Sequence, residues 1–397
     1  MDEAALQRYA DVIVDVGMDV QPDQIVVVNA APDAAPLVHA IARAAYKKGA
    51  KFVDAVYFDP YVKRIRLEEA REETLDFVPT WYGQRMLGFR DAHVARCAIT
   101  PVVPPGVLEG VDAERAGKDH MPFLKETFDV INAMTTSWTV VGWPSESWAR
   151  AVHPELDGDA AVAKLWDDIA FTCRLDADDP VSAWRARFAE LAAVSQRLTE
   201  RRFDAVHFAG PGTDLTVGLL PESVWSSGAL TTVDGIVHAA NIPTEEVASA
   251  PDPARADGVV TATKPLDVSG TVVRGLRIRF EGGRAVDIDA DENAEVLRGQ
   301  TSVDDGAARL GEVALVDREG RVGKVDSVFL NTLFDENAAS HIAFGNAYEV
   351  AAPGADDRIN TSAIHIDFMI GGDDVAVTGV TEGGERVPVL LGGRWAL

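Results

Sequence analysis

Residues 23–59, DQIVVVNAAPDAAPLVHAIARAAYKKGAKFVDAVYFD, decide the fold of the first half of the chain. The valine-rich run after Asp23 is typical of a buried strand, and residues 33–48 carry a helical pattern that ends at Gly49. The run KFVDAVYFD follows as a second strand. Two strands joined by a helix predict a parallel pair.

The same alternation extends outward from this stretch. The chain opens with apolar residues at helical spacing, and HVARCAIT (93–100) and WTVVGW (138–143) are predicted strands. Helices are predicted over Ala160–Cys173 and Pro180–Arg201. Residues 1–202 are therefore expected to form an α/β domain. The loop from Asn29 to Asp33 contains no glycine, which disfavours a nucleotide cofactor because close backbone approach to pyrophosphate needs glycine.

The composition changes near Phe203 to short valine- and threonine-rich runs separated by glycines. Predicted strands include FDAVHFAG, TDLTVGLL, TVVRGLRIRFEGGRAVDID, EVALVD, VFLNTL and IHIDFMIGG, with EGGR and EGGER as hairpin turns and a helix at about 293–298. Residues 203–397 are thus expected to form a second, mostly β domain. The predicted fold class is an α/β N-terminal domain followed by a mostly β C-terminal domain.

Charge and cysteine content restrict the classes of partner. Sixty-three acidic residues against 37 basic ones give a net charge of −26, which should repel nucleic acid and anionic membranes. Two cysteines are too few for a disulfide framework, and the start of the chain lacks the features of a secretory signal. No uninterrupted apolar run approaches the ~18 residues of a membrane span. We expect a cytoplasmic protein.

Residues 334–348, FDENAASHIAFGNAY, concentrate groups that suit chemistry. A helix from about Ala338 would place His341 and Tyr348 on one face, with Gly345 between them, and leave Glu336 before the helix start. The plain alternative is a capped helix with a core histidine and a packing tyrosine.

The segment Ile364–Phe368 alternates apolar and polar residues, as a strand does. His365 and Asp367 should therefore project from the same face, where an imidazole and a carboxylate suit a divalent cation. The alternative is a histidine–aspartate hydrogen bond on a half-exposed strand.

Further acidic residues lie in the same half of the chain. Glu312 interrupts the apolar run LGEVALV, so it needs a cation, a basic partner or an exposed position. Glu245 and Glu246 are adjacent, so one of them should point inward. Carboxylates near 246, 312 and 336, with His341, His365 and Asp367, offer the mixed oxygen and nitrogen ligands found in two-metal hydrolases.

Several ordered motifs resemble the metallo-aminopeptidase family of aminopeptidase T and aminopeptidase S. They are GTDLTV at 212–217, NIPTEEV at 241–247, LGEVALV at 310–316, NTLFDENAASHIAFGNAY at 331–348 and IHIDFMIGG at 364–372. The resemblance runs the length of the chain. It implies a homodimer with a C-terminal catalytic domain that has a barrel-like core and holds two divalent ions, with zinc, cobalt, manganese and magnesium all compatible.

The resemblance also implies specific residue roles. The implied metal ligands are Glu246, Glu312, His341, His365 and Asp367, with Glu336 as a further contributor, and the choice of Glu246 over Glu245 rests on the family motif alone. Tyr348 corresponds to the family's active-site tyrosine.

The implied reaction is hydrolysis of peptides with a free N-terminus by a metal-activated water. Glu246 or Glu312 would accept the proton, Tyr348 would ligate metal or steady the oxyanion, and the substrate amine would bind a metal or Glu336. Two alternatives stay open: a metal-independent glycosidase that uses a carboxylate pair, and a cation-stabilised binding module without activity.

Overall fold

The computed structural model describes residues 2–119, 121–124, 126–268, 271–325 and 327–397. These form two compact units. The first runs to Arg185 and takes in Ala229–Ile242, and the second contains Ala186–Gly228 and Pro243–Leu397. A single domain boundary between residues 202 and 203 stays a prediction.

The helices are Glu3–Val12 (α1), Ala35–Lys47 (α2), Pro60–Glu69 (α3), Thr80–Asp91 (α4), Ala113–Lys118 (α5), Glu126–Asn132 (α6), Glu146–Val152 (α7), Gly158–Thr172 (α8), Pro180–Arg201 (α9), Ala294–Gln300 (α10) and Thr332–Asp335 (α11). The strands are Ile25–Ala30 (β1), Phe52–Tyr57 (β2), Ala95–Thr100 (β3), Ser137–Gly142 (β4), Ala205–Gly210 (β5), Thr213–Leu219 (β6), Ser226–Ser227 (β7), Ala229–Thr231 (β8), Val237–Ala239 (β9), Asn241–Ile242 (β10), Glu246–Ser249 (β11), Pro251–Thr261 (β12), Leu266–Val268 (β13), Thr271–Val273 (β14), Arg277–Glu281 (β15), Arg284–Asp289 (β16), Leu310–Val316 (β17), His341–Gly345 (β18), His365–Met369 (β19), Ala376–Val380 (β20), Arg386–Leu391 (β21) and Arg394–Trp395 (β22).

The first unit is built on a parallel sheet with strand order β10-β4-β3-β1-β2. The strand–helix–strand prediction for residues 23–59 is confirmed, because β1 and β2 pair in parallel on either side of α2. The valines of β1 are buried, and the apolar face of α2, which includes Leu37 and Ile41, is buried as well. This buried interior accounts for the run of consecutive valines in β1, because strands of a parallel sheet are covered on both faces.

The second unit is antiparallel, as expected for a mostly β region. One sheet has the order β16-β15-β12-β6-β5-β20-β21-β22, and a second has the order β19-β18-β17-β11-β7. Both predicted glycine turns are hairpins, EGGR between β15 and β16 and EGGER between β20 and β21. The barrel-like core implied by the resemblance stays a prediction.

Aromatic side chains of the second unit form the centre of its core. Phe344 of β18 lies between Phe280 of β15 and Phe368 of β19, with ring centroids 5.7 and 5.2 Å away. All three rings are buried. One face of the strands β18 and β19 is therefore committed to the core, and their other face is available for polar groups.

The predicted helix from Ala338 to Tyr348 is wrong. A short helical turn, Glu336–Ala338, follows α11, and the chain then enters strand β18. Every residue of β18 is buried, and it pairs with β17 on one side and β19 on the other. A central strand buried on both faces loses the alternation that marks a strand, so its short apolar run also fits a helix.

The predicted strand VFLNTL is wrong as well. Residues 328–331 form no strand, and Thr332 begins helix α11. The carboxylate of Asp335 accepts hydrogen bonds from the backbone N–H groups of Phe329 and Asn331, so the backbone of this run is satisfied by a side chain rather than by a sheet. Within the described part of the chain, no helix combines the length and apolar character needed to cross a membrane.

Candidate metal centre

The register of the second sheet brings five of the six predicted ligands onto one face. Glu312 of β17 lies opposite Ala343 of β18, which lies opposite Asp367 of β19. Residues directly opposite each other in an antiparallel pair point to the same side. His341 pairs with Ala314, two residues beyond Glu312 on β17, and so shares this face.

His365 and Glu246 complete the face at its two ends. His365 lies opposite Gly345, and Glu246 of β11 lies opposite Val316. The positions between the polar groups are small: Ala248, Ala314, Ala343 and Gly345. Large side chains on this row would fill the space above the sheet, so the face combines ligating groups with room for a bound ion.

His341 lies at the centre of the cluster and is 1% exposed. Its Nε2 atom is 3.1 Å from Glu246 Oε2, 3.5 Å from Glu312 Oε1 and 4.0 Å from Asp367 Oδ1. Its other ring nitrogen, Nδ1, lies 3.2 Å from the carbonyl oxygen of Ala339. A backbone carbonyl that accepts from Nδ1 leaves Nε2 as the nitrogen that faces the carboxylates, as in many metal-binding histidines.

His365 repeats this arrangement. Its Nδ1 is 2.7 Å from the carbonyl oxygen of Asn346, and its Nε2 is 3.4 Å from Asp367 Oδ1 and 3.7 Å from Glu312 Oε2. Glu312 therefore contacts both imidazoles, one with each oxygen. A carboxylate between two histidines is suited to bridge two cations.

Glu336 and Tyr348 reach the cluster from outside the strands. Glu336 is buried in the helical turn before β18, where the side-chain amide of Asn337 lies 3.4 Å from its Oε1 atom. Tyr348 follows β18, and its ring centroid lies 5.1 Å from that of His365. The structure thus gathers all seven predicted site residues in one region, although by a strand and loops rather than by the predicted helix.

The protonation equilibria show a site with excess negative charge. Burial, followed by the charges of Asp367 and Glu246, raises the pKa of Glu336 well above its ordinary value. Burial likewise raises the pKa of Glu312. Burial works in the same direction on Asp367, but the imidazolium of His365 outweighs it and lowers the pKa of that carboxyl.

The histidines respond in the opposite sense. Burial alone would lower the pKa of His341, but the carboxylates of Glu246 and Glu312 raise it well above the ordinary value. Burial is similarly outweighed at His365, where Asp367 and Glu312 raise the pKa to about 9. Without another cation, the buried carboxylates therefore hold protons on both imidazoles.

These observations fit a divalent cation. Ligand atoms of Glu246, Glu312 and His341 lie within 4.8 Å of one another. Glu246 Oε2 is buried and accepts no hydrogen bond of good geometry, although it lies near His341. An ion would take the place of the protons on the imidazoles and satisfy this oxygen, since metal binding to such groups releases protons.

The two adjacent glutamates separate as strand alternation requires. Glu246 faces the cluster, whereas the buried carboxylate of Glu245 accepts from Arg187 Nε at 2.6 Å and from the backbone N–H of Arg321 at 3.0 Å. Sequence reasoning missed Arg187 and Asn337. Arg187 lies in helix α9, far from the predicted motifs, whereas Asn337 lies inside one of them but is an ordinary polar residue. The only signal in the sequence was the pair of adjacent acids, because the one that faces away from the cluster needs a cationic partner if it is buried.

Comparisons with known proteins all match this chain to metalloproteases or aminopeptidases. Residues 2–395 match the model of the peptidase family M29, described as thermophilic metalloproteases. Aminopeptidase T of Thermus aquaticus is 41% identical over 402 residues, which cover 99% of this chain and 98% of that protein. Aminopeptidase AmpS of Bacillus subtilis is 36% identical over 405 residues, which cover 98% of each. The solved structure of wild-type AmpT from Thermus thermophilus superimposes with a TM-score of 0.91 at 40% identity, covering 99% of both chains.

Proposed function

The chain belongs to the M29 family of thermophilic metalloproteases and is a metal-dependent aminopeptidase, and on that premise we propose how its site works. The observation that carries the proposal is the buried cluster around His341, whose Nε2 atom faces three carboxylates. A buried group of this charge needs a cation. Because the family consists of metalloproteases, we take this cation to be a metal ion.

We propose that the cluster holds two divalent ions. Glu246, Glu312 and His341 supply ligands for one, and His365 and Asp367 supply ligands for the other, with Glu312 in contact with both histidines. Glu336 adds a further carboxylate from the preceding helical turn. This mixture of imidazole and carboxylate suits zinc, cobalt, manganese or magnesium.

When bound, divalent ions make a water molecule more acidic and polarise the carbonyl of the scissile peptide bond. Glu246 or Glu312 would accept a proton from the attacking water and pass it to the leaving amine. Burial, together with the charges of Glu312 and Asp367, holds the pKa of Tyr348 well above its ordinary value. Its phenol therefore stays protonated and donates a hydrogen bond to the oxyanion of the tetrahedral intermediate.

The proposed substrates are peptides with a free N-terminus. An α-ammonium group entering the cluster would meet its excess of carboxylates, among them Glu336, which is buried and accepts from the side-chain amide of Asn337. The charge of the whole chain, −26, also favours a cationic end over an anionic one. A peptide without the free amine loses this ion pair, which makes the enzyme an exopeptidase.

We further propose a homodimer. Exposed aromatic side chains are concentrated between Tyr46 and Tyr82 in the first unit, with Phe52 and Tyr57 on β2, the last strand on its side of the sheet. Concentrated apolar exposure of this kind marks an interaction surface. Light scattering should show a dimer that Phe52→Asp with Tyr57→Asp converts to a monomer; a monomeric wild-type chain would refute the proposal.

A cytoplasmic location is also proposed. Both cysteines, Cys97 and Cys173, are buried and free, and burial raises the pKa of both thiols. Buried, protonated thiols are typical of proteins kept in a reducing compartment. Fractionation of cells that produce the full chain tests this location.

The decisive experiment is hydrolysis of leucyl-p-nitroanilide and short free-amine peptides by metal-stripped enzyme. Zinc, cobalt, manganese and magnesium are added back singly, and an N-acetylated peptide is the control. We expect activity that returns with metal and requires the free amine. Peptide hydrolysis that survives a chelator would refute the proposed metal mechanism, and stoichiometric metal without hydrolysis would refute the proposed catalytic roles of these residues.

A further inference from the structure

A second buried cluster of charges lies behind the metal-facing side of the sheet. Its centre is Arg187 of helix α9, whose side chain is only 12% exposed. Arg187 Nε donates to Glu245 Oε2 at 2.6 Å, and Nη2 donates to Asp317 Oδ2 at 2.9 Å. Both carboxylates are buried. The mechanism proposed above uses none of these three side chains.

The cluster is saturated with hydrogen bonds. Glu245 Oε1 accepts from the backbone N–H of Arg321, and Asp317 Oδ1 accepts from that of Glu319. Asp317 Oδ2 accepts a second bond, from the indole of Trp395 at 2.9 Å. Since every carboxylate oxygen has a donor, the side chains are held in one geometry, as buried ionic groups must be to repay their desolvation.

Each anion of this cluster is attached to a strand that carries a proposed ligand. Glu245 immediately precedes Glu246, the first residue of β11. Asp317 immediately follows β17, the strand of Glu312, and Glu246 pairs with Val316, the residue before Asp317. One guanidinium therefore clamps the adjacent ends of two strands that each present a carboxylate on the opposite face.

Asn337, which is fully buried, connects the cluster around Arg187 to a third proposed ligand, Glu336. Its Oδ1 atom accepts from the backbone N–H of Glu245 at 2.6 Å, and its Nδ2 atom donates to the carbonyl oxygen of Leu333 at 2.9 Å. Asn337 is the neighbour of Glu336 in the chain. The backbone of Glu245 is thus tied to the helical turn that presents Glu336.

We propose that Arg187 is a positioning residue for the metal ligands Glu246, Glu312 and Glu336, an inference that rests on the metal centre proposed above. The cluster contains four carboxyl groups and only two imidazoles, so negative charge stays in excess when no metal ion is bound and the carboxylates repel one another. A repulsion of this kind acts to spread the strand ends that carry them. The guanidinium of Arg187 binds Glu245 and Asp317 on the opposite face of the sheet and opposes this spreading. The proposed ligands therefore keep the spacing needed to bind a metal ion in the metal-free protein.

The planar guanidinium of arginine suits this position, because two buried carboxylates have to be bound at once. Arginine offers donors in a rigid plane and engages two carboxylates at once, whereas the single ammonium of a lysine serves one partner well. Glu190, the third partner of Arg187, is 68% exposed and lies 3.1 Å from Nη1. An exposed pair contributes little, so Glu190 offers a matched control for loss of one ionic contact of the same arginine.

The experiment compares Arg187→Lys, Glu245→Gln and Glu190→Gln with the wild type. Cobalt binding to metal-stripped protein is measured by calorimetry, and thermal unfolding of the metal-free protein is measured in parallel. Residues that orient ligands typically change metal affinity by about 10- to 100-fold. We expect a loss in that range for Arg187→Lys, a smaller loss for Glu245→Gln, and wild-type affinity for Glu190→Gln.

The activity of these variants separates positioning from folding. Arg187→Lys should need a higher cobalt concentration for half-activation, yet recover most of the wild-type kcat at saturating cobalt, with KM for leucyl-p-nitroanilide little changed. Wild-type cobalt affinity in folded Arg187→Lys and Glu245→Gln, with only the unfolding temperature lowered, would overturn the proposal. A wild-type chain that binds no cobalt would instead overturn the metal centre itself.

Discussion

Substitution of Asp367 by asparagine tests the metal centre with the least change of shape. The side chain keeps its volume, but the carboxylate that lies 3.4 Å from His365 Nε2 and 4.0 Å from His341 Nε2 becomes neutral. Structural metal sites bind with roughly 10–16 kcal/mol over four ligands, so one lost ligand removes about 3 kcal/mol, or about 100-fold in affinity.

This loss appears as a smaller stabilisation by metal. A ligand at about 1,000 times its Kd stabilises the folded state by about 4.1 kcal/mol, and at about 10 times its Kd by about 1.4 kcal/mol. The difference, about 2.7 kcal/mol, corresponds to a lowering of the metal-induced rise in Tm by roughly 5–10 °C for a unit of this size. The metal-free variant is its own reference for this rise, because the substitution also removes the favourable interaction of the Asp367 carboxylate with the His365 imidazolium.

The assay is thermal unfolding with and without cobalt, accompanied by calorimetric titration of the metal. Asp373→Asn is the control, because Asp373 is an exposed aspartate nearby in the chain that pairs with Arg318 on the surface. The control should keep the full metal-induced shift. If Asp367→Asn also kept the full shift and full activity, Asp367 would not be a ligand.

Three further substitutions test other parts of the structure. Tyr348→Phe should lower kcat by about 10²- to 10³-fold while cobalt affinity changes little, because the lost hydroxyl stabilises the oxyanion; unchanged kinetics would exclude that role. Burial lowers the pKa of His238 from 6.5 to about 4, so the unfolded state binds the proton first as pH falls. Stability should therefore fall by up to about 3 kcal/mol between pH 6.5 and 4, a loss that urea unfolding should find absent in His238→Gln. Phe344→Ala should destabilise the second unit by about 3–5 kcal/mol in the same assay, since its buried ring lies between two others; a loss below about 1 kcal/mol would mean that the core collapses around the cavity.

Local pattern was sufficient to predict the fold of the first unit. The run from Asp23 to Asp59 contains a strand, a helix and a strand with clear ends, and a parallel pair follows from the connecting helix alone. The pair His365 and Asp367 was predictable for a similar reason. Alternation along a strand with one polar face assigns side chains to faces without any knowledge of the neighbouring strands.

The segment from Glu336 to Tyr348 failed because its structure depends on its neighbours. His341–Gly345 is buried along its whole length, and its backbone hydrogen bonds go to β17 and β19, which are distant in the chain. The seven-residue separation of His341 and Tyr348 therefore matches helical spacing only by chance. Gly345 does permit a close approach, but to the carbonyl of Ile364, the residue before β19, rather than to a ligand.

Strand register, rather than composition, decides whether Glu245 or Glu246 faces the cluster around His341. Adjacent residues of an extended chain point to opposite faces, so one of the two had to face the cluster and the other had to turn away. The pairing of Glu246 with Val316 selects Glu246, because Val316, Ala314 and Glu312 lie on the same side of β17. A shift by one residue would place Glu245 in the cluster and aim Glu246 at Arg187, so the proposed ligand and the partner of Arg187 would exchange places. The ion pair of Arg187 with Glu245 therefore does more than neutralise a buried charge, since it stabilises the one register in which Glu246 faces His341.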